Sequence, residues 1–225
     1  MSGSSRSWFS SGGGGRYRAV GGRCAVDLER LLVPRTVEEK RAAIEAVGCR
    51  IVLDDPVVHL TATARSCVGR SAYRRGARAS EAPSVVDCSS FMKWIFGRAG
   101  IWIPRRSLQQ RDWVGNGGHA VNDRDDVRAG DLVFAAGWRD YYETDPAHGV
   151  GHVGIVSDAR TVIHAVNSSV GVVESPLEKF LHLDRFRGAR RMIPPDCVVL
   201  TLETPPEREV ETEDDLRWMI LQRLA

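Results

Sequence analysis

One run limits what this chain can fold into more than any other: His152-Val153-Gly154-Ile155-Val156-Ser157-Asp158-Ala159-Arg160-Thr161-Val162-Ile163-His164-Ala165. Apolar, β-branched stretches lie on either side of a polar break at Asp158 to Arg160, the pattern of two strands joined by a tight turn. An antiparallel hairpin is therefore expected, and a purely helical fold is excluded. Strand-like stretches flank it, Asp131-Leu132-Val133-Phe134 before and Gly171-Val172-Val173 after. Helical signals come earlier. Thr36-Val37-Glu38-Glu39 has the form of a capping box opening a helix that Gly48 stops. A short strand is expected over Arg50–Leu53, a second helix from Val57 to about Cys67, and a third through Phe91 and Phe96. Helices first and short strands later predict an α+β fold with an antiparallel sheet, not alternating βαβ units.

Composition narrows the function. Hydrophobic residues at 43% and charged residues at 27% exclude a disordered chain. A net charge of +2 sets up no field that would favour nucleic acid or anionic lipid. Arg65, Arg70, Arg74, Arg75 and Arg78 cluster without a recognised nucleic-acid motif and read as solvated surface. The five cysteines form no CxxC pair, so neither a disulfide framework nor a zinc site is expected, and the chemistry calls for no cofactor or metal. The N-terminus lacks the apolar core of a secretory signal and no long apolar run follows, so no membrane span is expected. The expected location is the cytoplasm, or outside it by a non-Sec route.

Four segments are expected: a Gly/Ser-rich flexible arm over 1–22, a helical extension over 23–59, the main α+β domain over 60–195, and a C-terminal tail over 196–225. The tail carries an amphipathic helix from Glu213 to Leu224 with Leu216, Met219, Ile220 and Leu224 on one side. That helix is expected to dock on its own chain or to mediate a dimer.

Cys88 falls at the first turn of the third helix, where free backbone N–H groups and the helix dipole favour a thiolate. A lone cysteine is usually a small core hydrophobe, so the reading depends on a partner base. His152 and His164 supply one: twelve residues apart across a tight hairpin, their side chains share one sheet face. His148 is a rival base without the strand context. Asp87 either caps the helix or binds a substrate amine.

Asp87-Cys88-Ser89, Ile103-Pro104-Arg105, Ala129-Gly130-Asp131-Leu132-Val133-Phe134, His152-Val153-Gly154-Ile155 and Ile163-His164-Ala165 occur in order, and together they resemble the NlpC-family peptidases over about residues 60–178. The resemblance implies a reduced papain-like α+β domain, its nucleophile helix packed on an antiparallel sheet. Cys88 matches the nucleophile, His152 the base and His164 the third residue that orients it. Tyr73 matches an active-site tyrosine which, with the N–H of Cys88 or Ser89, stabilises an oxyanion. Arg105, Ser107 and Trp138 join Asp87 as substrate-binding candidates. The implied reaction is hydrolysis of peptidoglycan stem peptides between D-glutamate and a diamino acid, with a peptide or muropeptide as partner. An amidase or acyltransferase with another substrate, and an idle binding module on the same fold, stay open. Departures from the pattern are Ser90 where glycine is usual, Ala77 in place of a paired glycine, and the insert Ala135 to Gly151 carrying Trp138, Tyr141, Tyr142 and His148.

Overall fold

The computed structural model describes residues 16–32, 34–115, 118–137, 149–195 and 197–224. In chain order its N-terminal half runs β1 (Arg23–Asp27), α1 (Val37–Ala46), β2 (Arg50–Leu53), α2 (Pro56–Ser66), β3 (Ala72–Tyr73), β4 (Val85–Val86), α3 (Cys88–Arg98) and α4 (Ser107–Arg111). There follow β5 (His119–Val121), β6 (Leu132–Ala136), β7 (Val150–Val156), β8 (Thr161–Ala165), β9 (Val172–Pro176), α5 (Glu178–Leu181), β10 (Phe186–Arg191), β11 (Val199–Glu203) and α6 (Glu213–Leu224). No helix among the described residues is long and apolar enough to cross a membrane.

The main sheet has six strands in the order β5-β10-β6-β7-β8-β9, every neighbouring pair antiparallel. The hairpin read from sequence is β7 and β8, with Ile155 opposite Ile163 and Val156 opposite Val162. Helix α3 buries Phe91, Met92, Ile95 and Phe96, a spacing that places all four on one stripe facing the sheet. Val153, Ile155, Ile163 and Ala165 receive them in the largest core cluster. Fully burying side chains of this size stabilises by about 1.5–3 kcal/mol each, which fixes α3 and its first residue, Cys88, against β7. The opposite sheet face carries Val133, Val156 and Val162 under Leu177 and Phe180.

Two segment expectations are corrected. Within the flexible arm expected over 1–22, Tyr17 is fully buried and the N–H of Ala19 donates to the carbonyl of Glu211 at 2.7 Å, so this part of it is packed. Of that arm, residues 1–15 lie outside the described residues. Nor are 23–59 and 196–225 a helical extension and a separate tail. β11 pairs antiparallel with both β1 and β2, giving a three-stranded sheet built from the two ends of the chain. Leu216 and Ile220 of α6 are buried with Cys24, Val26, Ile44 and Leu200 in a second core. β1 is buried along nearly its whole length and on both faces, so it lacks the apolar-polar alternation that marks a strand. β10, Phe-Arg-Gly-Ala-Arg-Arg, carries no strand signal in sequence, because its arginines suggest solvent. Instead Arg191 is buried in a two-bond pair with Asp131 at 2.9 and 2.8 Å, and Arg190 donates to the carbonyls of Trp113 and Gly118 at 2.7 and 3.0 Å.

Candidate active site

The start of α3 is held by more bonds than an ordinary cap. Asp87 is the N-cap: its carboxylate accepts from the N–H of Ser90 at 2.8 Å, and Ser90 Oγ accepts from the N–H of Asp87 at 2.8 Å. This reciprocal box explains serine at position 90, where its hydroxyl serves the cap and is buried. Asp87 also accepts from the N–H of Gly76 at 2.9 Å and from Arg105 through both terminal nitrogens. Arg105 bonds Ser89 Oγ at 2.8 Å and the carbonyl of Ala77 at 3.0 Å as well. Burial alone would raise the Asp87 carboxyl, but the Arg105 bonds and the Ser90 N–H outweigh it and hold the group below the usual range. Asp87 and Arg105, both substrate-binding candidates from sequence, are thus engaged in building the floor under Cys88.

Gln110 was not singled out from the sequence. It is fully buried in α4, and its side-chain amide donates to the carbonyls of Ser89 at 2.9 Å and Pro104 at 2.8 Å, tying α4 to the first turn of α3. The only signal, Ser107-Leu108-Gln109-Gln110, has a capping-box pattern that would assign Gln110 to its own helix. Ser107 opens α4 half-buried. Tyr73 lies on β3 opposite Val86, two residues before the nucleophile position, and packs half-buried on the main core. Trp138, Tyr141, Tyr142 and His148 lie outside the described residues.

His152 and His164 come together: His152 Nε2 and His164 Nδ1 are 2.7 Å apart, with ring centroids 4.9 Å apart in an edge arrangement. A β-bulge between the pairs Ala135–His152 and Ala136–Val150 bends β7 beside His152, a device that re-aims side chains next to active sites. Phe180 of α5 stacks on His152 at 5.7 Å and meets His164 edge-on at 4.9 Å, covering one side of the pair. His164 continues the chain, its Nε2 lying 2.9 Å from Ser175 Oγ on β9.

Cys88 reaches this pair through the backbone. The N–H groups of Val153 and Ser89 face its sulfur, and Val153 is the residue after His152. A direct Cys88–His152 hydrogen bond is not among the described contacts; such bonds are often long until substrate binds. Burial pushes the thiol up to about 11, helped by Asp87 and opposed by the two N–H groups and Arg105. Burial likewise pushes His152 down to about 3, with His164 and Arg185 adding to it, and His164 down to about 4, with Lys179 and Arg185 adding. At neutral pH the resting groups are therefore thiol and neutral imidazoles. The thiolate expected from the helix N-terminus is outweighed by desolvation. Among the described residues no cluster of His, Cys, Asp and Glu could hold a metal ion.

A helix-borne thiol packed on an antiparallel sheet that carries linked imidazoles is the layout of a reduced papain-like α+β domain. Residues 70–191 match the NlpC/P60 family, and the chain belongs to it. It is 36% identical over 115 residues to a probable endopeptidase of Corynebacterium glutamicum, covering 51% of this chain and 46% of that protein. Over 134 residues it is 34% identical to the peptidoglycan DL-endopeptidase CwlO of Bacillus licheniformis, covering 58% and 27%. A gamma-D-glutamyl-L-lysine dipeptidyl-peptidase of Bacillus cereus is 33% identical over 109 residues, covering 48% and 29%. The matches thus span less than half the length of these relatives. Among solved structures, NlpC1 of Trichomonas vaginalis superposes with a TM-score of 0.51 at 21% identity, covering 64% of this chain and 46% of that one.

Proposed function

We propose that this chain is a cysteine hydrolase that cleaves an amide bond in peptidoglycan stem peptides, on the carboxyl side of D-glutamate and next to a diamino acid. The observation that carries the reading is the 2.7 Å pairing of His152 with His164 on the strand whose Val153 N–H faces the Cys88 sulfur. Membership of the NlpC/P60 family and the names of the relatives support the substrate class.

In this mechanism His152 Nε2 is engaged by His164, which leaves Nδ1 to act as the base. As the sulfur attacks the carbonyl carbon, Nδ1 takes the thiol proton, so the neutral resting Cys88–His152 pair separates charge only in the transition state. The oxyanion is met by the N–H groups at the start of α3 with the Tyr73 hydroxyl; one such donor contributes roughly 2.7–4 kcal/mol. The imidazolium returns the proton to the leaving amine, giving a thioester. Water, deprotonated by the same nitrogen, then releases the acid and regenerates the thiol. His164, neutral itself, orients His152 rather than supplying charge.

The test compares wild type with Cys88→Ala on a muropeptide containing a D-glutamyl–diamino acid bond, products read by mass spectrometry. The expected loss is on the order of 10⁴-fold or more. Equal product release by the two proteins would overturn the assignment.

A further inference from the structure

Two imidazoles and a hydroxyl lie in a row: His152 Nε2 to His164 Nδ1 at 2.7 Å, then His164 Nε2 to Ser175 Oγ at 2.9 Å. Each link holds one proton, so neutral groups can fill the row in only two ways. In the first, His152 Nε2–H donates to His164 Nδ1, and His164 Nε2–H donates to Ser175. His152 Nδ1 then keeps its lone pair and can take a proton from Cys88. In the second, Ser175 O–H donates to His164 Nε2, His164 Nδ1–H donates to His152 Nε2, and His152 Nδ1 carries a hydrogen. A neutral His152 with its hydrogen on Nδ1 has no lone pair there to take the thiol proton.

We infer that Ser175 is a positioning residue: its Oγ accepts the Nε2–H of His164 and so holds both imidazoles in the tautomers that leave His152 Nδ1 free. The inference rests on the function proposed above. Ser175 is well placed for this. It lies on β9 opposite Val162, two residues along from the partner of His164, so the two side chains meet diagonally on one sheet face. The charged groups acting on the imidazole pair are Lys179 of α5 and Arg185 before β10, both cationic. No carboxylate acts on either ring among these, so the orientation that an acid would impose in a charged triad falls to a neutral hydroxyl. Glu174, the neighbour of Ser175, is occupied elsewhere, accepting from Ser157 and Thr161 hydroxyls at 2.7 Å and from Arg65 at 3.1 Å.

The experiment uses the full chain, ¹⁵N-labelled, near pH 7, and reads the histidine tautomers from long-range ¹H–¹⁵N spectra alongside steady-state kinetics. In wild type both His152 and His164 should carry hydrogen on Nε2. In Ser175→Ala, His164 should become a mixture of tautomers, and kcat should fall about tenfold with KM within about twofold. Ser175→Thr, which keeps the hydroxyl, should restore both readouts. A merely structural serine would lower the melting temperature and leave the tautomers alone. That result, or hydrogen on Nδ1 of His164 in wild type, overturns the inference. Because the spectra need no substrate, a chain inactive on muropeptides would sink the proposed function and still leave the role of Ser175 decided by its tautomers.

Discussion

The backbone of Gly154 passes so close under His164 that a methyl group there would stand 3.1 Å from His164 Cβ and 2.4 Å from Cγ1 of Val162. Both neighbours belong to β8, and Gly154 shares its sheet face with His152 two residues before it. The glycine in His152-Val153-Gly154-Ile155 is therefore a spacing requirement: only a missing side chain lets β8 bring its imidazole within bonding distance of His152. Its φ lies outside the left-handed region, so the constraint is steric and not conformational. Gly154→Ala should cost about 1–3 kcal/mol by overpacking. It should also lower kcat by about 10²-fold, since a displacement of roughly 1 Å at a catalytic group has that effect. Urea unfolding and muropeptide kinetics on the same preparation check it; wild-type turnover would show that the His152–His164 spacing does not limit the reaction.

The thiol gives a second prediction. With Cys88 pushed up to about 11 and His152 down to about 3, neither group is charged at neutral pH. The thiolate fraction at pH 7 is then on the order of 10⁻⁴. Alkylation of Cys88 by iodoacetamide, mapped by mass spectrometry from pH 5 to 10, should be slower at pH 7 than that of a free cysteine peptide and should climb steadily to the top of the range. Fast, selective labelling with a plateau below pH 7 would instead mean a preformed thiolate–imidazolium pair, and proton transfer would precede attack.

These two cases also show where sequence was a good guide. Cys88 at a helix start and the hairpin histidines were legible because each depends on local pattern: a cap, an apolar stripe, an even spacing across a turn. The sense of the Cys88 shift was not, because a helix N-terminus is visible in sequence whereas burial against Val153 is a product of the whole fold. Gln110 and Ser175 act through partners 21 and 11 residues away, and a lone glutamine or serine carries no such address. β1 and β11 were missed for the same reason on a larger scale. Their pairing joins the two ends of the chain, and β1, buried on both faces, lacks alternation. Ser90, a departure from the family pattern, is explained by the capping box it closes with Asp87.

Acid stability isolates the imidazole pair. Burial depresses both histidines, His152 to about 3 and His164 to about 4, so each stays neutral in the fold while the unfolded chain binds a proton near pH 6.5. The stability this contributes is fully present above pH 6.5 and is lost as the pH falls towards the folded values. Each histidine contributes a slope of about 1.4 kcal/mol per pH unit through that window, or roughly 2.7 kcal/mol for the two. His59, also lowered by burial, adds in the same direction, whereas Glu213, raised by burial, works against it. Glu174, which Arg65 pulls down to about 2, acts only below the ordinary carboxylate range. Urea midpoints for wild type should fall steeply from pH 6.5 to 4.5, and a His152→Gln, His164→Gln double variant should lose most of that slope while keeping the share due to His59. Parallel slopes in the two proteins would mean that the pair protonates as freely in the fold as in the unfolded chain, and a neutral His164 would no longer explain how His152 is oriented.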